Sequence, residues 1–290
     1  MRRILILLAL AAMVAAGCKS GKQAEVKEES MLDSALQVKA EAALREAMTD
    51  CWVDSGQVVV MDIEKGAIVA SAGLAMVGDT LQFDTVDFAD EKCISGMSRL
   101  EWNMRMLESG KMTLDEEVDA EEGVLVVGND TIVDYNWRRG GYGKITNRNA
   151  IAMLVNTTYF KCLAKVYGEK KALEIFYNNK EISVVEAARE LRDSIVLRND
   201  EYADSIRSVM RYFVTNGLGV KVESDKVEIA GYSNTGRADN DTFVLDFYAY
   251  FPWKNPKYIV VVRMKKKGLP ASAGRMCAPV AKSIAEGIEM

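Results

Sequence analysis

The period of the apolar positions changes several times along the chain, and each change marks an element. In residues 32–49, Leu36, Ala40, Ala43, Leu44 and Ala47 fall on one helical face, with Asp33 or Ser34 placed to cap it. Residues 56–72 carry two β-branched runs around Ile63-Glu64-Lys65-Gly66, which predicts a hairpin. Residues 74–93 are acidic and threonine-rich and read as a loop holding one short strand. Met97, Leu100, Met104 and Leu107 recur at helical spacing, and Gly110 closes that segment. A second hairpin is expected over 124–133, turning at Gly128-Asn129-Asp130, followed by a loop, WRRGGYG. Residues 147–167 keep one helical period throughout, and further helices are expected at 169–177, 184–192 and 200–215. The last third reads as strands at 227–231, 242–251 and 258–264 and a closing helix at 278–288. The polar residues 234–241 form the turn between the first two of these strands.

The order of these elements predicts an α+β fold: a five-stranded antiparallel sheet flanked by helices on both faces. The N- and C-terminal helices cover one face, and the helical middle is an insertion packed on the other. Gly231 and Gly236 bracket Tyr232, Ser233, Asn234 and Thr235, a polar run at the end of an apolar strand. Backbone donors and hydroxyls often meet an anionic ligand in such a place, although an ordinary hairpin with a solvated tip has the same composition.

The first residues fall outside this pattern. Arg2-Arg3 precede an unbroken apolar run of 13 residues, too short to span a bilayer, and Ala15-Ala16-Gly17 lead into Cys18. This arrangement resembles the lipobox of bacterial lipoproteins, with Ala15 where leucine is commoner; a plain signal peptide is the alternative. The resemblance implies a signal peptide over 1–17, lipidation of Cys18, a charged flexible tether over 18–30 and a folded domain over 31–290. It also implies a bacterial cell envelope location, on the periplasmic side of a membrane in a two-membrane cell.

Removing Arg2 and Arg3 would take the formal net charge from −5 to about −7, and no basic stripe offsets it, so nucleic acid is an unsuitable partner. The chain has no histidine, which excludes Ser-His-Asp and Cys-His catalysis and most metal sites. Cys51, Cys93, Cys162 and Cys277 form no CxxC pair and read as buried thiols, with one disulfide as the alternative. The acidic run Glu116, Glu117, Asp119, Glu121, Glu122 lacks the spacing of a calcium loop and reads as a solvated face. Neither a metal nor a cofactor is expected.

Taken in order, several segments resemble the transpeptidase domain of penicillin-binding proteins, nearest the class B kind. LDSALQVKAEAAL with SGQVVVMDIEKGAIVASAG is similar to its leading helix and hairpin. ESGKMTLDEEVDAEEG resembles the segment after its nucleophile helix, and AIAMLVNTTYFKCLAKVYG the helix of its second motif. IAGYSNTGRADNDTFVLDFYAYFPWKNPKYIVVVRMKKK with CAPVAKSIAEGI resembles its third motif, last strands and terminal helix. The family's acyl transfer uses a Ser-x-x-Lys nucleophile and base, a Ser-x-Asn relay and a Lys-Thr-Gly strand that holds the substrate carboxylate. Carried over by position, the nucleophile falls on Gly96, its lysine on Arg99 and the relay serine on Leu154, while Asn156 remains. In the third motif Tyr232-Ser233-Asn234 precede Thr235-Gly236, and the lysine is gone. A guanidinium does not lose its proton in a protein, so Arg99 is no base.

Three readings follow. The first is a lipid-anchored, non-catalytic transpeptidase-like protein that binds peptidoglycan stem peptides or cell-wall synthesis and division proteins. Its groove would be lined by Asn156, Tyr232, Ser233, Asn234, Thr235 and Gly236. The second is a divergent serine acyltransferase or DD-peptidase, or a protein acylated by β-lactams, with Ser95, Ser98 or Ser233 as a displaced nucleophile. The third is a sensor or assembly lipoprotein with aromatics such as Trp137 and Tyr142 beside the groove. Trp137-Arg138-Arg139-Gly140-Gly141-Tyr142 has the composition to contact glycan or phosphate, and equally that of a solvated loop.

Overall fold

The computed structural model describes residues 32–178 and 180–288. The expected signal peptide, Cys18 and tether therefore lie outside the described residues. Helix α1 (Ser34–Cys51) begins at Asp33, whose Oδ1 accepts from the amides of Ala35 and Leu36, and the five positions expected on its apolar face are buried. It leads into β1 (Ser55–Asp62) and β2 (Ala67–Met76), joined by the expected turn.

The sheet has six strands, not five. Its order is β10-β11-β12-β1-β2-β3, every pairing antiparallel, with β3 (Phe83–Thr85), β10 (Ala230–Arg237), β11 (Thr242–Phe251) and β12 (Tyr258–Lys267). The sixth strand is the short one expected within the 74–93 loop. Three residues are enough for it to pair with Leu74–Met76 and cover the outer edge of β2.

Two further differences from the sequence reading shape the region of the motif positions. Strand β10 was expected to end at Gly231 but runs through Arg237, because Ser233–Arg237 pair with Phe243–Phe247. Their turn-like composition is outweighed by this ladder, and the turn begins only at Ala238. The single helix expected over 147–167 is two, α3 (Asn147–Ala152) and α4 (Asn156–Tyr167). Between them Leu154 adopts a left-handed φ of 54°. The chain re-enters a helix at Asn156 because the buried Asp134 carboxylate caps it from another element, accepting from Asn156 N at 2.6 Å and Thr157 N at 3.0 Å.

Opposite faces of the sheet are covered as expected. Helices α1 and α9 (Ala278–Glu286), with the short α8 (Ala273–Met276), lie on one side. The helical middle covers the other, chiefly through α2 (Met97–Glu108), α6 (Val184–Leu191) and α7 (Glu201–Asn216), with α5 (Glu169–Tyr177) packed on α4. Three small two-stranded pairings complete the insertion: β4 (Cys93–Ile94) with β9 (Glu181–Ile182), β5 (Glu117–Asp119) with β8 (Lys144–Thr146), and β6 (Val124–Val127) with β7 (Asp130–Val133). Among the described residues the cysteines are free, and no helix is long and apolar enough to cross a membrane.

Candidate functional site

The three motif positions converge where the N-terminus of α2, the N-terminus of α4 and the edge strand β10 meet. Alternation along β10 sorts its residues between faces. Tyr232 packs on Phe213 of α7 with ring centroids 5.5 Å apart, Asn234 abuts Gly96, and Gly236 faces Ile94. Ser233 and Thr235 point the other way: a Cβ on Gly274 of α8 would lie 3.9 Å from Ser233 Oγ, and Thr235 Oγ1 accepts from Ala273 N at 3.2 Å. Of the six residues expected to line a groove, Asn156, Tyr232, Asn234 and Gly236 thus lie on the α2 side, while Ser233 and Thr235 meet α8.

At Gly96, the position to which the resemblance carries the nucleophile, there is neither a hydroxyl nor room for one. Gly96 is buried, and a Cβ built on it would fall well inside the van der Waals envelope of Asn234 Cβ and 2.8 Å from Asn234 Cγ. Its amide is also committed, donating to Tyr248 Oη at 2.9 Å. An acyl-transfer site needs such a donor free and aimed at the developing oxyanion; here it points into the sheet.

Arg99, one turn on, ties the two motif helices together. Its Nη1 donates to Asn156 Oδ1 at 2.8 Å, its Nη2 to Val155 O at 2.9 Å, and its guanidinium carbon sits 4.4 Å from the Tyr159 ring centroid. A planar fork stacked on a ring and donating to two acceptors suits arginine and not lysine. Asn156 completes the clamp by donating Nδ2 to Val133 O at 2.9 Å. Burial pushes the Tyr159 and Tyr232 phenols up, with Arg99 pulling both back, and Tyr232 Oη has no hydrogen-bond partner among the described residues.

The serines considered as displaced nucleophiles are engaged as follows. Ser95 is buried; its Oγ shares a 2.8 Å hydrogen bond with Tyr248 Oη and accepts from Met97 N. Ser98 Oγ donates to Ser95 O at 3.3 Å. Ser233 is buried on the α8 side. No lysine amine is hydrogen-bonded to any of them among the described residues.

Beneath this junction runs a polar row that the sequence reading missed. Asn234, Asp246, Arg263 and Gln57 are direct cross-strand neighbours on four successive strands. Arg263 forks onto Asp246 at 2.6 and 2.9 Å, both fully buried, and its Nη1 donates to Ile182 O. Asp246 Oδ2 in turn accepts from Tyr248 Oη at 2.6 Å. Burial, reinforced by the Asp246 carboxylate, holds the Tyr248 phenol well above its ordinary value, so it stays a donor. This chain of contacts ends on Ser95 and Gly96 N and fixes the turn that opens α2. One charge in each of two otherwise apolar stretches, VLDFYAY and IVVVRM, was the available signal.

No protein-family model and no curated protein matches the chain by sequence. Solved structures do. A peptidoglycan glycosyltransferase from Burkholderia ambifaria superposes with a TM-score of 0.70 at 17% identity, over 88% of this chain and 95% of the other. The chain has the penicillin-binding-protein transpeptidase fold. The D,D-transpeptidase domain of a peptidoglycan glycosyltransferase from Eggerthella lenta gives a TM-score of 0.67 at 16% identity, over 87% of this chain and 80% of that one. The transpeptidase domain of the FtsI4 D,D-transpeptidase from Legionella pneumophila gives 0.64 at 17%, over 88% and 97%. On this transpeptidase fold, Gly96 opens the helix where the family resemblance puts a nucleophilic serine, and Arg99 and Asn156 hydrogen-bond at its second motif.

Proposed function

We propose that this transpeptidase-fold chain is a non-catalytic, lipid-anchored protein of the bacterial cell envelope. In this reading it binds peptidoglycan stem peptides or cell-wall synthesis and division proteins, without turnover. The observation that carries the reading is the Gly96–Asn234 contact: the nucleophile position has no hydroxyl and its space is taken. Arg99 as a clamp and Gly96 N–H turned onto Tyr248 remove the base and one oxyanion donor as well. Loss of nucleophile and base together leaves an acyl-transfer site with only residual electrostatic assistance. The test pairs in-gel labelling by a fluorescent penicillin with calorimetric titration of a stem pentapeptide ending in D-Ala-D-Ala. Binding of the pentapeptide with no penicillin label is expected; a label removed by substituting one serine would overturn the proposal.

A further inference from the structure

The β6–β7 hairpin is apolar on both faces. Leu125, Val127 and Ile132 turn inward against the core. The register pairs Val124 with Val133 and Val126 with Thr131, so these four share the outer face, and Tyr135 follows in the turn two residues beyond Val133. That face is open: Val126 is 68% and Tyr135 84% exposed, and Val124 and Val133 are exposed beside them. On an isolated two-stranded ribbon the solvent face is normally polar.

The following turn adds cations to this face. Arg138 stacks over Trp137 at 5.0 Å and Arg139 over Tyr135 at 5.2 Å, and neither forms an ion pair among the described residues. The turn is held in shape. Gly123 and Gly141, with φ of 80° and 71°, let the strand base and the loop approach so closely that a Cβ on Gly141 would strike the Glu122 backbone. Asn136 Nδ2 also donates to Gly141 O at 2.7 Å. Exposed tyrosine, tryptophan and arginine on a rigid frame are what energetically dominant contact residues consist of.

We propose that this face docks an acidic, partly apolar segment of a partner protein, its carboxylates meeting Arg138 and Arg139 and its apolar side chains covering Val126, Val133 and Tyr135. A bilayer fits less well, because the hairpin tip, Gly128-Asn129-Asp130, is polar and anionic while the apolar surface is its flat side. The proposal rests on the reading that the chain works by binding. The hairpin is joined to the motif region through Asn156 Nδ2 to Val133 O and through the Asp134 cap, so an occupant would sit beside the second motif.

The test places the photocrosslinking residue benzoylphenylalanine at position 126 or 135 of the full chain in its native cells, with position 269 as control, since Leu269 is 76% exposed elsewhere. The expected result is one protein adduct at 126 and 135 and none at 269, joined through a segment of net negative charge. That segment, synthesised, should bind the purified chain and lose roughly tenfold in affinity to an R138E/R139E variant whose melting is unchanged. Absence of an adduct, an adduct to lipid, to a second copy of this chain or to a basic segment, or affinity unchanged in R138E/R139E would each overturn the proposal. Penicillin labelling would instead overturn the functional reading alone, which keeps the two failures apart.

Discussion

Gly96→Ala tests the closed site in a form that reads out without any ligand. The added methyl would overlap Asn234 Cβ and lie 2.8 Å from Asn234 Cγ, where van der Waals contact begins near 3.5 Å. The neighbouring atom is a β-carbon fixed to an edge strand, not the end of a flexible chain, so relief requires backbone movement. Overpacking of this kind costs about 1–3 kcal/mol, and the upper half of that range applies because Gly96 is also held through its amide by Tyr248. In a domain of this size that lowers the melting temperature by roughly 4–10 °C. The cycle with Asn234 makes the prediction specific. Removing the Asn234 β-carbon in the G96A/N234G double variant should recover about 1–2 kcal/mol relative to additivity. N234A, which keeps the β-carbon, should recover little. Urea denaturation of the parent, the three single variants and the two double variants measures the free energies, and thermal melts of the parent and G96A measure the temperature shift. Additive losses in G96A/N234G, or full rescue by N234A, would refute the reasoning.

Other expectations follow from the same contacts. Asp246→Ala leaves Arg263 buried without its carboxylate and should cost about 3–5 kcal/mol in urea unfolding, whereas a surface aspartate such as Asp79 should cost under about 0.5 kcal/mol. Asp134→Ala removes the acceptor of two α4 amides and of Thr157 Oγ1, for a loss of about 2–3 kcal/mol, with Asp134→Asn recovering part of it. The Glu101 carboxyl is raised above its ordinary 4.5 by burial and then by Glu190, so its contribution to stability is present below 4.5 and lost as the pH rises through the folded value. Glu101→Gln should therefore melt higher than the parent at pH 7, and the advantage should vanish in melts below pH 4.5; an advantage constant with pH would contradict this.

Much of the fold could be read from periodicity, because most faces are decided locally. The apolar stripe of α1 and its Asp33 cap, the α2 stripe and both early hairpins appear where the pattern places them. The errors share a cause: the decisive partner lies in another element and leaves no mark on the local pattern. Residues 147–167 keep one helical period with no proline or glycine, and the break at Leu154 is stabilised by Asp134 and by contacts such as Leu218 N to Ala152 O. Ser233–Arg237 have turn composition, and only the ladder to β11 makes them strand.

Counting along the chain picked out residues that are neighbours in space but gave none of their contacts. Gly96, Arg99 and Asn156, chosen by colinear order with the resembled motifs, lie at one junction. That Asn234 fills the space over Gly96 depends on the facing of β10, and that Tyr248 takes the Gly96 amide depends on the register of β11. Neither is written in a local pattern. The charges of Asp246 and Arg263 in apolar strands were a signal of a buried pair that the sequence reading passed over.

Intact-protein mass spectrometry after incubation with excess benzylpenicillin tests the central claim most directly, because acylation of any serine would add one penicilloyl group. With Gly96 closed by Asn234 and Arg99 held by Asn156, the account predicts an unchanged mass. A stoichiometric single adduct, mapped to Ser95, Ser98, Ser233 or any other serine, would contradict it.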